Sequence, residues 1–363
     1  MKVAVVGAGV IGHAVAYELA ARGARVGLID SRGTGAGATM ASAGVLAPYI
    51  EGHSEALLKL STCSLGSFDR FIGRVSADCG RTIEYQRSGT LQVACDAAAA
   101  TQLVTAAGRL ATAGVAHEYL DGDAARLLEP SLGDRVVAAL RVPTHGYVNV
   151  DDLMPALEAA SARHGATLSV ALVSRIAAVG GGVRITGSET FDADAVVLAA
   201  GSWSGLVDLS PASAPPVKPI RGQRLHLQCA TRVLSHVVWG TSCYLVPWQD
   251  GSILVGATVE DVGFDEHATV EGVRDLLDSA AALVPALAGA RFESVRVGLR
   301  PLTADGLPVI GASSTMPGIY FATGHYRNGV LLAPLTAALI ADLVLEGRER
   351  PDLAFVSPGR FGL

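Results

Sequence analysis

At 363 residues the chain is longer than one core normally supports, so two lobes are expected. A formal net charge of −6 excludes the basic surface that a nucleic-acid partner needs. Mean hydropathy is high, at +0.39, yet no run reaches the roughly 18 unbroken apolar residues of a membrane span.

The first thirty residues read as strand, glycine turn, helix, strand and acid. Gly7, Gly9 and Gly12, with Ala8, Val10 and Ile11 between them, form Gly-x-Gly-x-x-Gly directly after Lys2–Val6. Such a turn lets the first glycine bend the chain, the second admit a pyrophosphate and the third seat the helix on the sheet. Asp30 follows at about the 20-residue distance at which an acid meets ribose hydroxyls. Lys2 before an apolar run also resembles a signal peptide, but the fingerprint explains the same residues better, and a cytoplasmic location is expected.

A loop of small residues spans 33–39 and continues through Ala43, Gly44 and Val45 to Pro48, leaving room for a planar ligand against backbone. Apolar spacing predicts a helix over 55–84, a strand over 90–94, an Ala-rich helix over 97–114 and a short helix over 122–129. Asp151 or Asp152 is expected to cap a helix running to Arg163, followed by strands at 167–173 and 193–201. After a Pro-rich connection at 214–219 come strands at 221–229, 243–248 and 252–258, a helix over 269–283 and a strand at 291–297. A loop is expected from Gly298, then a strand at 319–322 and a helix from Gly329 to Leu345. Segments 1–84, 149–215 and 298–363 thus read as one nucleotide-binding lobe, interleaved with a strand-rich lobe from 85–148 and 216–297. Ligands usually bind in the crevice that such a split leaves.

The C-terminal loop from Thr323 to Gly329 opens the last helix, whose amides and positive end favour an anion above them. A reduced flavin carries negative charge that such a helix start would stabilise.

The N-terminal fingerprint, Ala43-Gly44, Gly201 with Trp203, Gly298-Leu299-Arg300-Pro301, Asp305-Gly306 and Gly324-His325-Tyr326-Arg327-Asn328-Gly329 together resemble the FAD-dependent D-amino acid oxidase superfamily. With Leu331-Leu332-Ala333-Pro334 after it, the last loop is most similar to that of the glycine oxidases of thiamine biosynthesis. The resemblance implies an α/β fold: a Rossmann-like FAD-binding domain interleaved with an α+β substrate-binding domain built on an antiparallel sheet. It implies FAD contacts from Gly7 to Gly12, from Asp30, Ser31 and Arg32, from Ala43 to Val45, from Val173, Gly201 and Trp203, and from Gly324 to Val330. It assigns Arg300 to the substrate carboxylate, a bidentate task suited to guanidinium. Tyr244 would add its hydroxyl, and Arg327 would border both flavin and substrate, its backbone carbonyl accepting the substrate amine.

Two positions depart from the pattern of glycine oxidases, which commonly carry His and Met where this chain has Ser242 and Val259. The shorter side chains predict a roomier pocket. Monomeric sarcosine oxidases attach FAD through a cysteine after the arginine region; here none follows Cys243, so FAD is expected to be noncovalent. The expected reaction is oxidation of glycine, sarcosine or a small D-amino acid, by hydride transfer to flavin, to an imine or oxo acid, with molecular oxygen reduced to peroxide. No side-chain base is required if the ammonium proton leaves first. The alternatives are a dehydrogenase using a quinone or carrier, and a flavin-binding protein without turnover; a homo-oligomer is compatible with either. The nine histidines show no metal-binding grouping, the five scattered cysteines form no Cys-x-x-Cys pair, and Ser204 lacks the glycine of a hydrolase elbow.

Overall fold

The computed structural model describes residues 1–51, 54–210 and 212–363. Its six-stranded sheet runs in the order Val309–Ala312, Ile319–Thr323, Ala195–Leu198, Lys2–Val6, Arg25–Asp30, Thr167–Val170. All neighbours are parallel except the first pair. Val3, Val5 and Val197 are fully buried, as strands covered on both faces require. Helix Val10–Ala21, helix Glu55–Cys79 and helix Gly329–Glu346 share one core through Val15, Leu60 and Leu332. The segment Tyr326–Glu346 has the length and hydropathy of a membrane span; in the fold it is a core helix, tied to its neighbour by Ser64 Oγ donating to the Leu331 carbonyl at 2.6 Å.

The second large sheet has eight strands in the order Arg291–Thr303, Val217–Gln228, Ser252–Gly256, Tyr244–Pro247, Val237–Trp239, Thr90–Ala94, Ala138–Val142, Glu118–Asp121. Only Val237–Trp239 and Thr90–Ala94 pair in parallel. Helix Val270–Leu283 covers this sheet through Leu276, Ala280 and Leu283, which pack with Leu225 and Val255.

Several expectations are corrected. The loop expected from Gly298 is strand through Thr303. Pro301 misled because it breaks ladders, but this strand lies at the sheet edge, where a missing N–H is tolerated. The strand expected over 167–173 splits after Val170, and residues 173–193 form an unforeseen three-stranded antiparallel sheet. The helix cap at 149–152 is Asn149, whose side chain accepts from the Asp151 amide at 2.9 Å. Asp151 instead pairs with Arg296 at 2.6 Å, and Asp152 accepts from the Glu84 amide at 3.0 Å. The helix expected to reach residue 84 stops at Cys79, where Gly80 takes φ +67°.

Candidate active site

The glycine turn stands at the end of the central strand of the six-stranded sheet. A Cβ on Gly7 (φ +110°) would lie 2.4 Å from the Ala199 carbonyl oxygen, and one on Gly12 only 1.8 Å from the Gly7 carbonyl oxygen. Both positions therefore serve close packing of turn and helix. Gly9 lines a cavity and caps Val10–Ala21 with no side chain of its own, while Thr39 Oγ1 accepts from the Val10 amide at 3.0 Å; the positive end of the helix faces that cavity. Asp30 is fixed nearby, its carboxylate accepting from the amides of Ala8, Arg32 and Gly33 at 2.9, 2.7 and 3.1 Å.

The cavity, about 640 Å³, joins this turn to the eight-stranded sheet. Of the expected cofactor residues, Gly7, Gly9, Val10, Ile11, Asp30, Ser31, Arg32, Ala43, Val45, Val173, Gly201, Trp203 and the run His325 to Val330 line it. Ala8, Gly12, Gly44 and Gly324 lie behind the wall. A Cβ on Gly44 would meet the Val148 carbonyl oxygen at 1.8 Å, and one on Gly324 would meet Thr303 Cγ2 at 2.5 Å, so these glycines shape the cavity without facing it. Ala38, Thr39, Ala41, Ser42, Gly222 and Gly298 also line the cavity, and these small residues leave room for a flat ring system. At the outer end, the Arg32 guanidinium stacks 4.1 Å over the Trp203 ring and pairs with Glu266 at 2.8 Å.

Tyr244 and Arg300 reach the same cavity from the eight-stranded sheet. Tyr244 is opposite Gly256, and Gly222 is opposite Gly298, two pairs along the ladder from Arg300 and so on the same face. A Cβ on Gly256 would lie 2.4 Å from the Tyr244 hydroxyl, and one on Gly222 would lie 2.2 Å from Arg300 Nη2. Two glycines thus give both side chains the space they occupy on the sheet surface. Arg300 Nη1 donates to the carbonyls of Arg221 and Thr258 at 3.2 and 3.0 Å; among the described residues no carboxylate pairs with it. Burial lowers the Arg300 pKa and raises that of Tyr244, which keeps the phenol protonated as a donor. A cation without a counter-ion beside a hydroxyl donor is a receptor for a carboxylate.

The loop before the last helix completes this end. Tyr326, at φ 48°, is the one non-glycine residue with positive φ among the described residues, a strain typical of functional loops. His325 is neutral, its pKa lowered to about 3 by burial, and it hydrogen-bonds Thr336 Oγ1 at 3.0 Å. Arg327 Nη2 donates to Glu51 Oε1 at 2.9 Å. Glu51 lines the cavity and was missed by the sequence reading, because it ends the four-residue helix Pro48–Glu51 and belongs to no motif.

Ser242 and Val259, expected to make the pocket roomier, do not line the cavity. Ser242 is exposed in the turn before Tyr244–Pro247, and Val259 is 57 % exposed beyond the end of Ser252–Gly256. Trp239 and Ala257 occupy the cavity wall instead.

Arg224 lies on the same sheet face, paired across the ladder with Arg296. It is 1 % exposed, its Nη2 donates to the Met40 carbonyl at 3.0 Å, and its Nε and Nη1 have no partner among the described residues. Arg296 donates to the same carbonyl at 3.0 Å, and burial brings the Arg224 pKa down to about 10. A buried cation so poorly matched costs stability. Arg224→Met is expected to stabilise the protein by about 1–2 kcal/mol, as replacement of buried ions by packed apolar side chains does; an unchanged or lowered urea midpoint at equal cofactor occupancy counts against it.

Comparison with known proteins agrees with this geometry. Residues 2–343 match the family described as DAO, FAD dependent oxidoreductase. A glycine oxidase from Geobacillus kaustophilus is 34 % identical over 97 % of this chain and 94 % of its own. The crystal structure of glycine oxidase from that organism superposes with a TM-score of 0.93 over 98 % of both chains. A bifunctional ThiO/ThiG protein from Nostoc is 36 % identical over 97 % of this chain and 54 % of its own. The structure of an iminodiacetate oxidase from Chelativorans, 28 % identical, superposes at 0.88 over 98 % of both chains. The chain therefore belongs to the DAO family of FAD-dependent oxidoreductases.

Proposed function

We propose that this enzyme oxidises glycine, sarcosine or small D-amino acids to the imine, which water converts to the oxo acid and ammonia or amine. The observation that carries the reading is the placement of Arg300 and Tyr244 in the cavity that also holds the dinucleotide fingerprint. The names of the relatives, glycine oxidases among them, support it. Segments 1–84, 149–215 and 298–363 then bind the cofactor, and 85–148 with 216–297 supply the substrate face.

The turn at Gly7–Gly12 and the start of Val10–Ala21 would hold the pyrophosphate of FAD, and Asp30 its adenosine ribose. The loop His325–Val330 at the start of the last helix would border the flavin. Bound FAD would take the hydride and pass its two electrons to oxygen, giving hydrogen peroxide. Arg300 grips the substrate carboxylate through the guanidinium edge left free by the two carbonyls, and the Tyr244 hydroxyl donates to the same group. The Arg327 backbone carbonyl accepts from the amine and turns the α-carbon toward the cofactor. With both ends held, the reactants meet at high effective concentration.

A peroxide assay over glycine, sarcosine, D-alanine and D-proline tests the reading, with a dye run beside oxygen as acceptor. Turnover with the dye alone points to a dehydrogenase; no bleaching of the flavin by any of these under anaerobic conditions removes the catalytic reading. FAD is expected to leave the chain on acid denaturation, because no cysteine follows Cys243. Yellow colour that stays with the precipitated polypeptide contradicts noncovalent binding.

A further inference from the structure

The two arginines at the substrate end of the cavity differ in what neutralises them. Arg327 is paired with Glu51 at 2.9 Å, and both residues line the cavity. Arg300 rests on two neutral carbonyls. Arg224, the further arginine near Tyr244, is 1 % exposed and offers a ligand no surface. An ion pair presents little net charge, whereas a guanidinium on carbonyls presents a whole one. Among the side chains that line this end of the cavity, the Arg300 guanidinium is therefore the one cation with no carboxylate partner among the described residues.

We infer that Glu51 is a specificity-determining residue: by occupying Arg327 it restricts the site to amino acids with a single carboxylate. The inference rests on the proposed function and names the substrate class within it. A substrate with one carboxylate is neutralised by Arg300 and leaves the Glu51–Arg327 pair intact. A second carboxylate must either displace Glu51 from Arg327 or lie beside it, and like charges set together are a common means of rejecting a wrong partner. The discrimination comes from repulsion as well as from the missing cation.

Matched substrates test this. Iminodiacetate differs from sarcosine, and D-aspartate from D-alanine, by one added carboxylate. In Glu51→Gln the ratio of kcat/KM for iminodiacetate over sarcosine is expected to rise at least tenfold, and that for D-aspartate over D-alanine to rise with it. Glu51→Asp keeps the charge and is expected to keep the parental ratios. A ratio taken within one variant is insensitive to its folded fraction or FAD content, so a merely structural Glu51 leaves it unmoved. Unchanged ratios in Glu51→Gln, or a parent enzyme that uses iminodiacetate as well as sarcosine, overturn the inference. If the glutamine variant fails to fold, the parent holoenzyme still decides, through flavin absorbance titrated with acetate and with malonate. Acetate is expected to bind more tightly, and tighter malonate overturns the inference. A parent that oxidises none of glycine, sarcosine and D-alanine defeats the proposed function, while the acetate and malonate titrations continue to test the charge rule.

Discussion

Arg300→Ala is expected to keep its FAD and lose kcat/KM for every amino acid substrate by roughly 30-fold to several thousand-fold. The range corresponds to about 2–5 kcal/mol, the usual cost of truncating one partner of a buried charge pair. The pair in question forms only with substrate, since the guanidinium in the free protein touches the carbonyls of Arg221 and Thr258. The unliganded fold therefore loses no ion pair. Flavin absorbance and thermal stability should stay near parental values while steady-state kinetics collapse. Parental kcat/KM for both glycine and D-alanine would remove Arg300 from the substrate site.

Gly222→Ala is expected to produce much of the same defect without touching a charge. The new Cβ would stand 2.2 Å from Arg300 Nη2 and 2.4 Å from Nη1, so the guanidinium must move. The atoms in the way are the far end of a flexible side chain, which the sheet tolerates. Misplacement by about 1 Å is enough to cost on the order of 100-fold in rate. The variant should fold, bind FAD and lose about two orders of magnitude in kcat/KM. Equal loss in a substrate lacking the carboxylate would show that the damage lies elsewhere than at Arg300.

The sequence made the nucleotide end of the site readable because its requirements are local. Gly7, Gly9, Gly12 and Asp30 fall within one strand–helix–strand unit, and spacing alone encodes their geometry. The substrate end is assembled from residues far apart in the chain, so Arg300 and Tyr244 were reached through family resemblance. What resemblance did not carry was the wall itself. Ser242 and Val259 neighbour the site in sequence but point to solvent, because a turn and a strand end set their directions. Glu51 was invisible because it belongs to no motif and meets Arg327 from 276 positions away in the chain. Pro301 and Gly298 read as loop signals, and only the edge position of their strand explains why the ladder continues through them.

The strand order of the six-stranded sheet bears on how the chain is made. Lys2–Val6, which carries the fingerprint, is flanked by Arg25–Asp30 and Ala195–Leu198, and beyond the latter stands Ile319–Thr323. The helix that buries Val10–Ala21 from the other side is Gly329–Glu346. Residues 1–30 therefore carry a complete cofactor signature, yet the strand and the helix that cover them lie about 165 to 300 positions later in the chain. The lobe closes only when Ile319–Thr323 and Gly329–Glu346 are in place. Long-range parallel pairing of this kind is slow and leaves strand edges exposed meanwhile. A chain that stops before Ile319 lacks both Ile319–Thr323 and Gly329–Glu346, so it can neither complete this sheet nor cover Val10–Ala21.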